Sequence, residues 1–497
     1  MNNTNNRHNA DSGNNNKDSK RNSYREPTLA MSLIPIGLLI SSMICIVVAM
    51  GAFAVQTIGP WLLIATALIA ATIAFGYSHC SASQIAKGLY TAAKQILPSI
   101  PILLLIGTVS ATWMLSGVVP LLIDYGLSVL NANTFLLAAC VVCAIISVLG
   151  GSSWTTIATI GVAFMGIGEV LGYSAGWVAG AVISGAYFGD KISPLSDTTV
   201  LASSSCGVNL FAHIRYMMLT TVPTMVITLI VFTLAGYFGN HSEIIAESEL
   251  TKSLSETFNL TPWLLIVPCV TIVMIAFRSN SYVTLSASTL AGLAAMYIFQ
   301  PQIVATLAGS DAMWDSIVAG ANSMLFTTQI DTGSEMLNEL VVTGGIEGMM
   351  PTVFLVSCAA IFGGVMIGGG MIARITHSLH RRLKSATSSV AATVASGITL
   401  NASTGDQFLS IIISANIYKS MYERNNLNKL LLSRTIEDST SVTSVLIPWN
   451  SCGLTQATVL GVPTLAYLPY CVFNYLSPIM TLIMAWANIK IRRIKVG

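Results

Sequence analysis

Twenty-two consecutive residues, Leu29–Met50, carry no charge. A helix of about 20 apolar residues crosses the hydrocarbon core of a bilayer. Similar stretches follow at 60–78, 98–120, 135–172, 175–207, 216–238, 262–277, 283–299, 351–372, 389–417, 436–461 and 464–489. Lipid offers no partner to a bare N–H or C=O, so each crossing segment must bond its own backbone, as a helix does. Only 9% of the 497 residues are charged, against about 25% in soluble domains. The expected fold is therefore an all-α polytopic membrane protein. The nine cysteines show no paired spacing, and Cys140 and Cys143 lie inside an apolar run, so neither a disulfide framework nor a structural metal site is expected.

Basic residues mark the cytoplasmic side. The Asn- and Ser-rich stretch 1–27 holds Arg7, Lys17, Lys20, Arg21 and Arg25, and reads as a disordered cytoplasmic tail. Lys87 and Lys94, then Arg278, then Arg374, Arg381, Arg382 and Lys384 mark further inner loops, and Lys490, Arg492, Arg493 and Lys495 place the C-terminus inside as well. Residues 239–260, with four Glu against Lys252, suit an extracytoplasmic linker. The stretch 98–120 reads as one outward crossing.

Two apolar stretches are interrupted. Segment 135–172 contains Gly150-Gly151-Ser152-Ser153-Trp154-Thr155-Thr156, and its pieces are either two spans or a re-entrant hairpin. Segment 389–417 breaks at Thr399-Leu400-Asn401-Ala402-Ser403-Thr404-Gly405-Asp406 and has basic residues on both sides, which predicts a hairpin. The count is about ten transmembrane helices plus two re-entrant hairpins.

Charge also falls where it costs most. Gly189-Asp190-Lys191-Ile192-Ser193-Pro194-Leu195-Ser196-Asp197-Thr198-Thr199 sits between apolar runs. A charged side chain at mid-membrane costs about 2.5–3.5 kcal/mol on insertion scales, so it usually has a task there. Pro194 breaks helix and Gly189 permits a turn. The freed carbonyls, four hydroxyls and two carboxylates supply the oxygen that a hard cation needs in place of water.

The halves repeat at an offset close to 250 residues. The run Gly150 to Thr156 resembles Asn401 to Asp406, and Asp190 resembles Asp438. The basic loops make the copies opposite in direction, so 28–238 and 261–497 read as inverted-topology repeats with broken helices. Secondary transporters place their substrate between such breaks.

Exchange of a cation for a proton needs a carboxylate that binds one or the other. The candidates are Asp190, Asp197 and Asp438, supported by Glu437 and Asp406. Ser152, Ser153, Thr155, Ser193, Ser196, Thr198, Thr199, Asn401, Ser403, Thr404, Asn450 and Ser451 are candidates for coordination or for capping half-helices. Structural alternatives stand beside these. Asp190 pairs with Lys191 or Arg215, Asp197 caps the next helix, and Glu437 balances Arg434. Lys191 is expected to snorkel to the interface, and His213 to sit at the interface beside Arg215.

The motif Gly189 to Thr199, with Phe211-Ala212-His213-Ile214-Arg215 and Thr220-Thr221-Val222-Pro223, resembles the NhaC family of bacterial Na+/H+ antiporters. Glu437-Asp438-Ser439-Thr440, Leu446-Ile447-Pro448-Trp449-Asn450 and Cys452-Gly453 extend the resemblance, which covers the chain from about residue 30 onward. It implies exchange of Na+, or Li+, for H+ across the inner membrane, in the service of pH homeostasis. Related members exchange organic acids such as malate for lactate, and that reading stands as the alternative. No phosphate-binding glycine loop is present, so neither an ATP-driven pump nor an enzyme is expected. The expected partners are Na+, H+ and the lipid bilayer, with no cofactor, no nucleic acid and a homodimer as the assembly.

Overall fold

A computed structural model describes residues 24–51, 54–239, 247–277, 279–310, 312–332, 338, 341–380 and 385–494. The expected disorder of 1–27 falls almost wholly outside these residues. The described residues form helices and no strand, with isolated bridges at Thr328–Thr343 and Leu427–Arg493. Among the described residues, eight helices are long and apolar enough to cross a membrane. A ninth is counted if Thr464–Tyr470 and Val472–Trp486, which meet at 56°, form one span.

Several expected segments also divide differently from the sequence reading. The stretch 98–120 is not one helix. Ser99–Leu115 stops at Gly117, whose φ of 82° is left-handed, and Val118–Val129 starts afresh. The Lys87 and Lys94 region is helical too, as Ala82–Ile96, with Ser81 and Gln84 forming a capping box. Segment 175–207 divides into Ala175–Ile192 and the ten-residue Asp197–Cys206.

Segments 135–172 and 389–417 both form helical hairpins. In the first, Ala132–Gly150 turns at Gly151 (φ 64°) and Ser153–Val170 runs back, bringing Phe164 to 6.0 Å and Tyr173 to 5.5 Å from the Phe135 ring. A Cβ on Gly151 would meet Leu195 C at 2.7 Å and Ser196 N at 2.9 Å, so both the turn and the close approach require glycine. In the second, Ala386–Thr404 turns at Gly405 (φ 70°), and Gln407–Arg424 returns until Asn425 Nδ2 donates to Ser389 Oγ at 2.9 Å. The expected interruption from Thr399 to Asp406 is therefore far shorter. Helix persists through Thr404, because Asn401, Ser403 and Thr404 all fit a helix when their polar groups have partners.

Gly189 does not turn the chain. The helix Ala175–Ile192 runs through it. Gly185 and Gly189 present bare backbone to the Cys140 and Ala144 carbonyls of Ala132–Gly150, and the two helices pack in close contact. Small residues allow this approach in membranes, where no hydrophobic drive separates helix from lipid.

One register runs through the chain. The N-caps Asn131 and Ser385, the left-handed Gly151 and Gly405, the N-caps Ser152 and Asp406, the N-caps Ser196 and Asn450, and the left-handed Gly207 and Gly461 are each 254 residues apart. Tertiary bonds follow the same offset. Ser147 Oγ donates to Ala186 O at 2.6 Å, and Asn401 Nδ2 donates to Thr440 O at 2.6 Å. This register pairs Asp190 with Ser444 and Asp438 with Ser184. The resemblance between Asp190 and Asp438 read from the sequence is six residues out of step, because the caps and not the acidic residues carry the repeat.

Candidate functional site

The first-half break lies at 193–196, between Ala175–Ile192 and Asp197–Cys206. Ser196 caps the second piece by accepting from Thr199 N at 3.4 Å, so Asp197 is the first helical residue and not the cap. A carboxylate there meets the positive end of the helix dipole. Asp190 is half-buried and Asp197 is exposed. Both line one cleft with Ser99, Ser152, Ser153, Thr155, Thr198, Ser281 and Gln407. The cleft widens toward Lys94, Ser279, Asn280 and Tyr282. Ser153 Oγ donates to Asp190 Oδ2 at 2.7 Å, which ties the hairpin turn to the break. Asp190 therefore pairs with a hairpin hydroxyl. Neither Lys191 nor Arg215 claims it.

Lys191 corrects its expected position. It does not snorkel. Its side chain is 1% exposed, and Nζ donates to Asp438 Oδ1 at 2.5 Å and to Ser477 Oγ at 2.9 Å. Thr220 Oγ1 also donates to Asp438 Oδ1, at 3.0 Å. Arg434, four residues before Asp438 and fully buried, brings Nε to 3.9 Å from Oδ2 and lies over the Tyr216 ring at 4.5 Å. Helix geometry predicts that i, i+4 meeting. A lone buried charge is costly, and a paired one with further hydrogen bonds is tolerated. Asp438 is thus held by cations of the protein itself, from both halves of the chain.

Glu437, also fully buried, accepts from Thr198 Oγ1 at 3.2 Å, and its Oε2 has no partner among the described residues. It does not pair with Arg434, the structural alternative, since Arg434 turns to Asp438. Glu437–Ser441 is a π-helical turn, which leaves backbone carbonyls without their usual intrahelical donors. Side-chain amides take these carbonyls: Asn401 Nδ2 bonds Thr440 O, and Asn474 Nδ2 bonds Val442 O at 2.9 Å.

Most of the candidate hydroxyls serve the backbone. Ser193 Oγ donates to Val148 O, Thr199 Oγ1 to Lys191 O, Ser403 Oγ to Thr399 O and Thr404 Oγ1 to Asp406 O. Asn450 caps Ser451–Leu460, and Asp406 caps Gln407–Arg424 by accepting from Leu409 N at 2.8 Å. The cleft thus gathers Asp190, Asp197, Ser152, Ser153, Thr155 and Thr198, with Glu437 one hydroxyl away. It does not gather Asp438, Asp406, Asn401, Ser403, Thr404, Asn450, Ser451, Ser193, Ser196 or Thr199.

His213 corrects another expectation. It is fully buried, with Nδ1 at 2.9 Å from Ser433 Oγ, while the neighbouring Arg215 is exposed. The sequence reading also missed Gln407, Thr220 and Ser477. Thr220 carried a signal, because it lies within a motif already singled out. Ser477 carried none, since nothing local marks a serine in an apolar helix as a lysine partner.

The apolar helices and the breaks between them define a polytopic, all-helical membrane protein. The chain belongs to the Na+/H+ antiporter family, whose model matches residues 9–237 and 185–489. It is 35% identical to the Na+/H+ antiporter NhaC of Alkalihalophilus pseudofirmus over 465 residues, covering 94% of this chain and 97% of that protein. It is 34% identical to the Na+/H+ antiporter NhaC of Bacillus subtilis over 462 residues, covering 92% and 98%. The malate-2H+/Na+-lactate antiporter of Bacillus subtilis is 34% identical over 407 residues, covering 82% of this chain and 84% of that protein.

Proposed function

We propose that the protein is a secondary antiporter exchanging Na+, or Li+, for H+ across the bacterial inner membrane. Family membership supports the reaction class. The observation that carries the site is that Asp190 and Asp197 line one cleft beside hydroxyls from the hairpin turn. Such a set offers a hard cation oxygen ligands in place of water, and the same carboxylates can take a proton instead. Competition for one site couples the two fluxes without a further device. Asp438 enters this reading as the fixed partner of Lys191, next to the path and not in it.

The residues 28–238 and 261–497 form the two inverted repeats in this reading, with 239–260 as an extracytoplasmic link and both termini in the cytoplasm. The cleft then opens inward, because its mouth carries Lys94. The chain acts as a transporter and not an enzyme, needs no resident cofactor, and assembles as a homodimer.

The test is recovery of a fluorescent ΔpH signal in proteoliposomes after additions of NaCl, LiCl, KCl, malate and lactate one at a time. NaCl or LiCl alone should dissipate the gradient. Silence with every salt, followed by a response only when an organic acid accompanies Na+, would replace this reading with organic-acid exchange.

A further inference from the structure

The 254-residue register pairs Ser152 with Asp406 and Asp197 with Ser451. Each half therefore sets one aspartate against one serine between its hairpin turn and its broken helix, with the two side chains exchanged. In the first half the hairpin supplies Ser152 and the broken helix supplies Asp197, and both line the open cleft. In the second half the hairpin supplies Asp406 and the broken helix supplies Ser451. That pair is closed: Ser451 N donates to Gly405 O at 2.8 Å, Ser451 Oγ lies 3.4 Å from Asp406 Oδ2, and Asp406 is 3% exposed.

A helix cap does not explain the charge on Asp406. Ser152 does the same capping with a neutral hydroxyl, accepting from Thr155 N at 3.2 Å. Capping also uses only one carboxylate oxygen of Asp406, leaving Oδ2 with the long contact to Ser451. Another unused oxygen lies on the same hairpin, since Asn401 Oδ1 is buried with no partner among the described residues.

The register carries two lining residues of the open cleft, Lys94 and Pro98, onto the lining of a second cavity; Trp449 adjoins that lining in sequence, and Asp406 and Ser451 are not part of it. The open cleft is bordered by Lys94, Pro98 and Leu195. Their counterparts are Gly348, Thr352 and Trp449. The second, smaller cavity is lined by Gly348, Thr352, Pro448, Leu454 and Thr458, with an empty volume of about 590 Å³ against about 1520 Å³ for the first. A hydrogen bond between the Thr352 and Thr458 hydroxyls ties its walls together.

We propose that Asp406 with Ser451 is a second cation station, closed here, which opens through the cavity lined by Thr352 and Thr458 when the second half takes the arrangement seen in the first. This rests on the reading of the open cleft as an ion path. Gln407, next to Asp406 in the chain, lines the open cleft, and its Oε1 accepts from Ser444 Oγ at 3.2 Å.

The experiment measures Na+-dependent proton flux in oriented proteoliposomes, with Na+ added to one face at a time. Wild-type response to Na+ tests the underlying reading separately. Asparagine caps helices as well as aspartate does, so Asp406→Asn removes the charge and keeps the cap. Half-saturating Na+ should rise about tenfold or more on the face opposite Lys94, as loss of a charged ligand predicts, and change by less than about twofold on the Lys94 face. An unchanged response on both faces, or an equal rise in half-saturating Na+ on both with flux retained, overturns the proposal. If Asp406→Asn is inactive on both faces, the exchange variant Asp406→Ser with Ser451→Asp decides. It copies the first-half order and keeps a capping hydroxyl. Restored flux supports the station, and continued silence overturns it.

Discussion

The two broken helices share a backbone plan and differ in how their charges are met. In the first half, Asp190 and Asp197 face a cleft, and Asp197 is exposed. In the second half, Glu437 and Asp438 are fully buried, and Asp438 already has Lys191, Thr220 and a nearby Arg434 around it. Position 438 corresponds to Ser184 in the first half, and Lys191 corresponds to Val445. Caps and turns therefore recur while charges do not. The shared backbone provides two similar frames: one turns its carboxylates to an open cleft, and the other ties the halves together through an internal ion pair.

The comparison is tested most severely by removing the open charges. Asp197→Asn should abolish Na+/H+ exchange, because an amide can neither neutralise the cation nor take up a proton in its place, while the amount of protein in the membrane stays unchanged. Exchange at the wild-type rate would remove Asp197 from the ion path. On the closed side, Lys191→Met should leave Asp438 buried without its bonded cation and destabilise the protein by about 3–5 kcal/mol. Thermal unfolding of the detergent-solubilised protein would show this as a lowered Tm. Lys191→Met with Asp438→Leu should recover much of that loss. If the double variant is no better than the single one, the ion pair is not the contact that matters.

The turns separate the halves more finely. Gly151→Ala and Gly405→Ala both put a side chain at positive φ, a strain of about 1–2 kcal/mol. Only Gly151 also meets backbone closely, at Leu195 and Ser196, whereas the nearest atom to a Cβ on Gly405 is Ala359 Cβ at 3.2 Å. The loss of Tm should therefore be greater for Gly151→Ala, and equal losses would argue that the two turns are packed alike. The smallest effect expected is from the caps. Ser196→Ala should cost about 0.5–2 kcal/mol, and Ser196→Asn, which copies the second-half cap Asn450, should restore most of it.

Much of the molecule is legible in the chain itself. The uncharged runs dictate membrane helices, because lipid permits only helices and closed barrels, and a run of about 20 apolar residues has the length of a helix and not of a barrel strand. The Gly-Ser and Ser-Thr-Gly-Asp interruptions locate the hairpin turns, since only glycine adopts φ near 64° or 70° without strain. The motif around Asp190 marks the first break. These features are local, and local chemistry decides them. Lys191 shows the limit. Its neighbours in sequence suggest an interfacial anchor, and the partner that keeps it buried lies 247 residues away. Which carboxylate faces the cleft and which is neutralised follows from how the fold brings Lys191 and Thr220 of the first half to Asp438 and Ser477 of the second. Only the tertiary structure decided that, because the cost of burying a charge depends on what stands beside it in space.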